Sequence, residues 1–311
     1  MIWTSEAPAN IALIKYMGKT ADNVPLNCSL SFTLEKFKTK VILEKIEGRS
    51  SDEWTRNQTM AESDQNRFLK HLSFLKEHFG LREKFRVSSV NDFPSHCGLA
   101  SSASSFAALT RCAAMAASEL QGRDLTDPFE VNRLSRRGSG SSCRSFFSPF
   151  AVWDADGARS IEIGSLQILH QVVVVDSSRK EVSSSEAHKR VLTSALWSGR
   201  PERAQARFEE LVQSLKHNSW KTAFEIVWSE FWDMHALFET SRPGFGYMKP
   251  GSQEVLELVR ALWNERGDGP LATMDAGPNV HLLYRADQRA LASDFRAKAL
   301  KRFEVLGEGE R

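Results

Sequence analysis

The chain has 311 residues, 41% hydrophobic and 26% charged, which excludes a disordered polymer and suits two domains or one large one. Its 41 basic and 39 acidic residues leave a formal charge of +2, with no long basic run of the kind that neutralises a nucleic-acid backbone, so no nucleic-acid partner is expected. Apolar runs are strand-sized, below the ~18 residues of a membrane span. Cys28, Cys97, Cys112 and Cys143 form no CxxC pair behind no secretory leader, so the expectation is a cytoplasmic, reduced protein without a membrane partner.

In chain order, Asn10-Ile11-Ala12-Leu13-Ile14 and Lys40-Val41-Ile42-Leu43 read as strands, with a loop over 15–27 that contains Pro25-Leu26-Asn27. Phe68, Leu72, Leu75 and Phe79 recur at helical spacing, with Ser63 expected to cap the helix and Gly80 to stop it. Phe85, Val87 and Ser89 predict a strand that ends at Asn91-Asp92-Phe93-Pro94, before a glycine and serine loop and a small-residue helix through Ala117. Thr126-Asp127-Pro128 opens another helix, with a capping side chain before proline at the first helical position, and a polar loop over 136–141 follows it.

The turn Asp156-Gly157 precedes a short segment over 160–163 and a buried strand over 171–176, and the domain change falls near 165–180, giving domains 1–170 and 171–311. Three apolar stripes then predict helices: Phe208, Leu211, Val212, Leu215; Phe224, Val227, Trp228, Phe231; and Val255, Leu258, Val259, Leu262. Strands over 271–274 and 280–284 flank Asp275-Ala276-Gly277-Pro278-Asn279, a closing helix follows, and residues 307–311 read as a frayed end. No internal repeat of solenoid period is present.

A phosphate cradle needs exposed backbone N–H groups, small residues and a following helix whose dipole is positive at that end. The segment over 94–105 meets these needs, and Gly98, Leu99, Ala100, Ser101 and Ser102 are its candidate ATP contacts, with the Ser102 hydroxyl a candidate magnesium ligand. It lacks the lysine of the Walker pattern, and the plain alternative is a small-residue helix packed on a sheet. Gly138-Ser139-Gly140-Ser141-Ser142-Cys143-Arg144-Ser145 forms a second cradle with a guanidinium built in; its alternative, a solvated linker, is opposed by the apolar Phe146, Phe147, Phe150 and Trp153 that follow. Taken alone, Asp275 reads as a satisfied turn aspartate, Lys15 as a surface charge, and His96 and His235 as surface or packing residues outside any metal-ligand spacing.

Together these motifs resemble the mevalonate diphosphate decarboxylase family, within the galactokinase, homoserine kinase, mevalonate kinase and phosphomevalonate kinase (GHMP) superfamily. The likeness runs through Ala7-Pro8-Ala9-Asn10-Ile11-Ala12-Leu13-Ile14-Lys15-Tyr16-Met17-Gly18-Lys19, Asn27-Cys28-Ser29-Leu30-Ser31, 91–104, 137–145 and 275–279, and so spans nearly the whole chain. It implies an α/β (α+β) GHMP-kinase-like fold, with a deep cleft between an N-terminal domain containing a left-handed βαβ crossover and a C-terminal ferredoxin-like domain. It also implies ATP and Mg2+ as cofactors, and a reaction that phosphorylates the 3-hydroxyl of mevalonate 5-diphosphate before phosphate and carbon dioxide leave to give isopentenyl diphosphate.

By the same resemblance Asp275, Lys15 and Arg144 are the catalytic set. Asn10 and Arg144 lie at the substrate carboxylate, and Tyr16, Lys19, Ser139, Gly140 and Ser141 line the diphosphate pocket. A carboxylate flanked by cations stays ionised and can accept a proton. Family members often pair, so a homodimer is an expectation. Met17, Thr20-Ala21 and Ser95-His96-Cys97 depart from the family pattern, which leaves a 5-monophosphate substrate, a kinase that stops after phosphoryl transfer, and a silent nucleotide-binding regulator as alternatives.

Overall fold

A computed structural model describes residues 1–20, 23–55, 61–93, 101–164, 166–178 and 180–307. Its first sheet is organised by one long hairpin, in which β1 (Ile2–Ile14) runs antiparallel to β2 (Ser29–Ile46) in a register from Ile2 opposite Glu44 to Ile14 opposite Leu30. The other edge of β2 carries two short strands end to end: β4 (Lys84–Asn91) along Thr39 to Ile46, and β5 (Phe150–Asp154) along Ser29 to Phe32. β3 (Glu53–Trp54) adds in parallel to β4, and β6 (Gly157–Ser160) pairs with β5 across the expected Asp156-Gly157 turn. Only Lys40 to Leu43 of β2 was legible as a strand, because its first part is buried along every residue and shows no alternation.

Against this sheet lie α1 (Glu62–Phe79), α2 (Ser101–Gln121) and α3 (Pro128–Gly138), around a core that includes Trp3, Leu43, Phe68, Leu72, Phe85 and Phe106. Gly80 ends α1 in the left-handed conformation (φ 70°), as expected, but the cap at its start is Ala61 with no side-chain bond, so Ser63 sits inside the first turn instead of capping it. Asp127 caps α3 as expected, accepting hydrogen bonds from the Phe129 and Glu130 amides ahead of Pro128. Along α2, Ala103, Ala107, Ala108, Ala113, Ala114, Ala116 and Ala117 are fully enclosed, and these small side chains let the helix lie close on β1 and β2. The plain reading of that segment thus holds for the helix body, while Ser101 and Ser102 at its start stay partly open.

The second sheet runs β10 (Glu304–Gly307), β7 (Ile168–Val174), β9 (Val280–Arg285), β8 (Leu271–Thr273), with every neighbouring pair antiparallel. That order is the split βαβ arrangement expected of a ferredoxin-like unit. α4 (Ser184–Arg190), α5 (Arg200–Lys216), α6 (Trp220–Glu239) and α7 (Pro250–Arg266) intervene between β7 and β8, and α8 (Arg289–Lys298) between β9 and β10. Gly307 is not frayed: it pairs with Gln171, at a φ of 108° where an added Cβ would lie 2.4 Å from the His170 carbonyl oxygen.

The fold is mixed α/β with two domains, and one apolar cluster joins them. Ile11, Leu13 and Ile14 of β1 share a core with Val172 of β7, Phe231 of α6 and Leu282 of β9. This seam brings the end of β1 against the turn between β8 and β9. Among the described residues no helix is long and apolar enough to cross a membrane, and Cys28, Cys112 and Cys143 are free and buried.

Candidate active site

Lys15 is the first residue beyond β1 and is 1% exposed. Its ammonium donates to the Ala12 carbonyl at 2.7 Å and to Asp275 Oδ1 at 2.7 Å. The surface-charge reading of Lys15 is therefore overturned. Asp275 occupies a turn built by its neighbours: Gly277 N–H donates back to the Asp275 carbonyl at 2.7 Å, Ser252 Oγ donates to the Pro278 carbonyl at 2.5 Å, and Asn279 Oδ1 accepts from Val175 and Asp176. Asn279 thus ties the turn to the end of β7, leaving the Asp275 carboxylate 28% exposed beside Lys15.

Burial alone would push the Asp275 carboxyl up, but the Lys15 ammonium outweighs it and holds the group below the ordinary carboxylate range. The same burial lowers the Lys15 ammonium, with Asp275 opposing it. Both groups are charged at neutral pH, so the carboxylate is a proton acceptor held by one cation.

Arg144 lies in the second cradle, which is a short 3-10 helix over Gly140–Phe146 and neither an open loop nor a solvated linker. Cys143, Arg144 and Ser145 are buried, and Ser142 Oγ donates to the Ser139 carbonyl at 2.7 Å. Arg144 Nε donates to Asn10 Oδ1 at 3.2 Å and Nη1 to Ser29 Oγ at 2.9 Å, with its guanidinium 5.7 Å from the Trp153 ring centre. Asn10 is oriented in turn by Ser145 Oγ at 2.9 Å. Two of the three guanidinium nitrogens are thus committed to protein among the described residues, and Nη2 is left for an anion.

Tyr16 packs between Trp153 and His188, with ring centres 4.5 and 4.3 Å away, over Gly140, where an added Cβ would lie 2.9 Å from the phenol. Its hydroxyl is buried without a hydrogen-bond partner among the described residues, as a group awaiting a ligand would be. Lys19 donates to Asn23 Oδ1 at 2.6 Å, and burial together with the nearby charges of Arg67 and Lys189 lowers its ammonium. Ser139 Oγ lies 3.5 Å from Ser102 Oγ, so the two cradles meet where α2 begins. Gly98, Leu99 and Ala100 lie outside the described residues, as do His96, Cys97 and Ala21.

A family model for the diphosphomevalonate decarboxylase-like N-terminal domain matches residues 7–162, and one for the mevalonate 5-diphosphate decarboxylase C-terminal domain matches 170–302. The chain belongs to the diphosphomevalonate decarboxylase family. It is 31% identical to the diphosphomevalonate decarboxylase of Aspergillus fumigatus over 94% of this chain and 80% of that one. It is 45% identical to a mevalonate diphosphate decarboxylase of Legionella pneumophila solved by crystallography, with a TM-score of 0.93 over 98% of this chain and 100% of that one. A further structure, described as MDDEF in complex with MVAPP, AMPPCP and magnesium, is 28% identical with a TM-score of 0.87, over 98% of this chain and 96% of that one.

Family membership directs attention to residues that sequence reasoning passed over. Lys180 keeps an exposed surface while protein encloses much of its length, which lowers its ammonium; the Asp275 charge opposes that shift. His188 stacks on Tyr16 and accepts the Gly18 N–H at Nδ1, 3.1 Å away; burial drops its pKa to about 3, so the ring is neutral. Asn27 donates to the Lys15 carbonyl at 2.9 Å. Asn27 lies inside a recognised motif, whereas Lys180 and His188 carry no spacing that could have marked them.

Proposed function

We propose that the chain catalyses the ATP-dependent decarboxylation of mevalonate 5-diphosphate to isopentenyl diphosphate, ADP, phosphate and carbon dioxide, with Asp275, Lys15 and Arg144 as its catalytic set. The observation that carries this reading is the 2.7 Å pairing of a buried lysine with an ionised, partly exposed aspartate beside a buried arginine. The Asp275 carboxylate takes the proton of the substrate 3-hydroxyl as that oxygen attacks the γ-phosphorus of ATP and ADP departs. Lys15 keeps Asp275 ionised beforehand. Phosphate then leaves the tertiary carbon with the C–O electron pair, and the C–C electrons released with carbon dioxide form the new double bond.

Asn10 and Arg144 hold the substrate carboxylate. Tyr16, Lys19, Ser139, Gly140 and Ser141 receive the diphosphate, with Arg67 and Lys189 adding positive charge beside Lys19. That cluster favours the 5-diphosphate over a 5-monophosphate. Ser101 and Ser102 open α2, whose first turn carries no acidic residue, and meet the ATP phosphates there, with Gly98, Leu99 and Ala100 completing the loop. The hydroxyls of Ser102 and Ser139 form a hard oxygen donor set that suits magnesium carried in on the nucleotide. Magnesium supplies neutralisation of phosphate charge.

With ATP, magnesium and mevalonate 5-diphosphate, carbon dioxide, ADP and phosphate should appear in equal amounts. ADP without carbon dioxide would make the protein a kinase, and a higher kcat/KM with the 5-monophosphate would overturn the substrate. The domains proposed are 1–170 and 171–311. A homodimer is the proposed assembly, which sedimentation as a monomer would exclude. The proposed compartment is the cytoplasm, whose reducing conditions preserve the free thiols of Cys28, Cys112 and Cys143.

A further inference from the structure

Helix α6 lies in the C-terminal half of the chain yet packs against both β1 and β8. Two of its residues reach the Lys15–Asp275 pair from behind, and each does so through the main chain. Glu230, at 0% exposure, accepts the Lys15 backbone N–H on Oε1 at 2.9 Å. Arg200, equally enclosed, bonds the same Oε1 and directs Nη2 to the Lys15 carbonyl at 3.4 Å. The other carboxylate oxygen of Glu230 accepts from Arg200 Nη1 at 3.1 Å and Arg207 Nη1 at 2.9 Å. On the opposite side of the pair, His235 is 3% exposed, meets Phe231 and Phe238 edge-on, and hydrogen-bonds the backbone of Asp275.

We propose that Glu230 and His235 are positioning residues for the reaction: by holding Lys15 and Asp275 at their backbones, one helix sets the separation of the pair across the two halves of the molecule. This rests on the reading of Lys15 and Asp275 as catalytic groups. Lysine carries many rotamers, and the partners are 260 positions apart in the chain, so the pair inherits whatever misalignment exists between β1 and the β8–β9 turn. A displacement of about 1 Å at a reacting group costs on the order of a hundredfold in rate. A fully buried carboxylate is a poor source of net stability even when paired, which makes placement of the Lys15 peptide the better account of Glu230.

The charged and titratable groups facing Lys15 are Asp275, Glu230, Arg144, Arg200 and the His235 ring. The Glu230 charge supports the Lys15 ammonium against burial, and the His235 ring, whose pKa burial drops to about 3, is neutral. Removing the Glu230 charge therefore moves loss of the Lys15 proton to lower pH.

The test is steady-state turnover of the full chain with ATP, magnesium and mevalonate 5-diphosphate across pH, with thermal melting to confirm folding. Glu230→Asp keeps the charge and withdraws the carboxylate from the Lys15 N–H: kcat falls about tenfold, while both KM values stay within about twofold. Glu230→Gln keeps an acceptor and deletes the charge, so the alkaline limb of kcat moves to lower pH; it also carries the Glu230 test should the aspartate variant not fold. His235→Leu fills the space without a ring nitrogen and lowers kcat about tenfold. His235→Asn or His235→Gln restores most of that loss, which a space-filling role does not predict.

A folded Glu230 variant with wild-type kcat and pH profile overturns the role of Glu230. A His235→Leu enzyme as active as wild type, or one matched by both amide variants, overturns that of His235. Lys15→Met and Asp275→Asn separate the two levels of the argument. If both turn over like wild type, the pair itself is not catalytic; if both are inactive while the α6 variants are normal, only the positioning role falls.

Discussion

Replacing Asp275 by asparagine keeps the size of the side chain and an acceptor oxygen while deleting the charge that faces Lys15 at 2.7 Å. Loss of a general base costs about 10²–10⁴ in rate, or about 2.7–5.4 kcal/mol of transition-state stabilisation. A second cost falls on the fold, because the Lys15 side chain is 1% exposed and is left as a cation without its partner. Breaking a buried pair costs about 3–5 kcal/mol, and the lower end applies here because Lys15 retains the Ala12 carbonyl and can release its proton. ATP binds at the start of α2 and should be nearly unaffected.

The assay follows ADP and carbon dioxide together for Asp275→Asn, Lys15→Met and the double variant, with ATP binding read separately. Groups that act as a unit are not additive, so the double variant should lose about as much turnover as the worse single one. An Asp275→Asn enzyme whose kcat stays within about tenfold of wild type, or a double loss equal to the product of the single losses, refutes the reasoning.

At Gly140, alanine would place its Cβ 2.9 Å from Tyr16, whose ring is already backed by Trp153 and His188. We expect a loss of about 1–3 kcal/mol in stability and a raised KM for the mevalonate substrate; an unchanged KM would remove Tyr16 and Gly140 from the pocket. Ser102→Ala should raise the KM for ATP about threefold to tenfold, the worth of one hydroxyl hydrogen bond, and an unchanged value would separate that hydroxyl from the nucleotide. Burial drops the pKa of His71, His188 and His235 to about 3 each, so the native rings are neutral. The unfolded chain binds protons on them below about pH 6.5, so stability is complete above that value and falls as the pH drops towards 3, by up to about 1.4 kcal/mol per unit for each ring. Urea unfolding at pH 7, 6 and 5 measures this slope, and a flat profile would contradict it.

What the sequence determined by itself is what local chemistry can encode. The stripes of α5, α6 and α7, the Asp127 cap, the Gly80 stop and the turn that carries Asp275 follow from periodicity and from residues with strong backbone preferences. The ordered motifs also carried the family, and with it the choice of Asp275, Lys15 and Arg144. Composition was less informative at α2, where the same small residues serve both close packing on β1 and an open, hydroxyl-bearing start at Ser101 and Ser102.

Only the tertiary structure decided which charges meet. Arg200, Arg203 and Arg207 on α5, and Glu230 and Asp233 on α6, are spaced like solvent-facing charges, yet they close on one another beneath the Lys15 peptide. His235 lies one turn from Phe231 and reads as packing, which it is, but its ring also touches the Asp275 backbone. The 3-10 turn that buries Arg144 is written in glycines and serines that serve equally well for a solvated linker. The physical reason is shared: burial and ion pairing depend on distance in space, and residues 15 and 275 are joined by an apolar seam between two sheets, which no periodicity along the chain records.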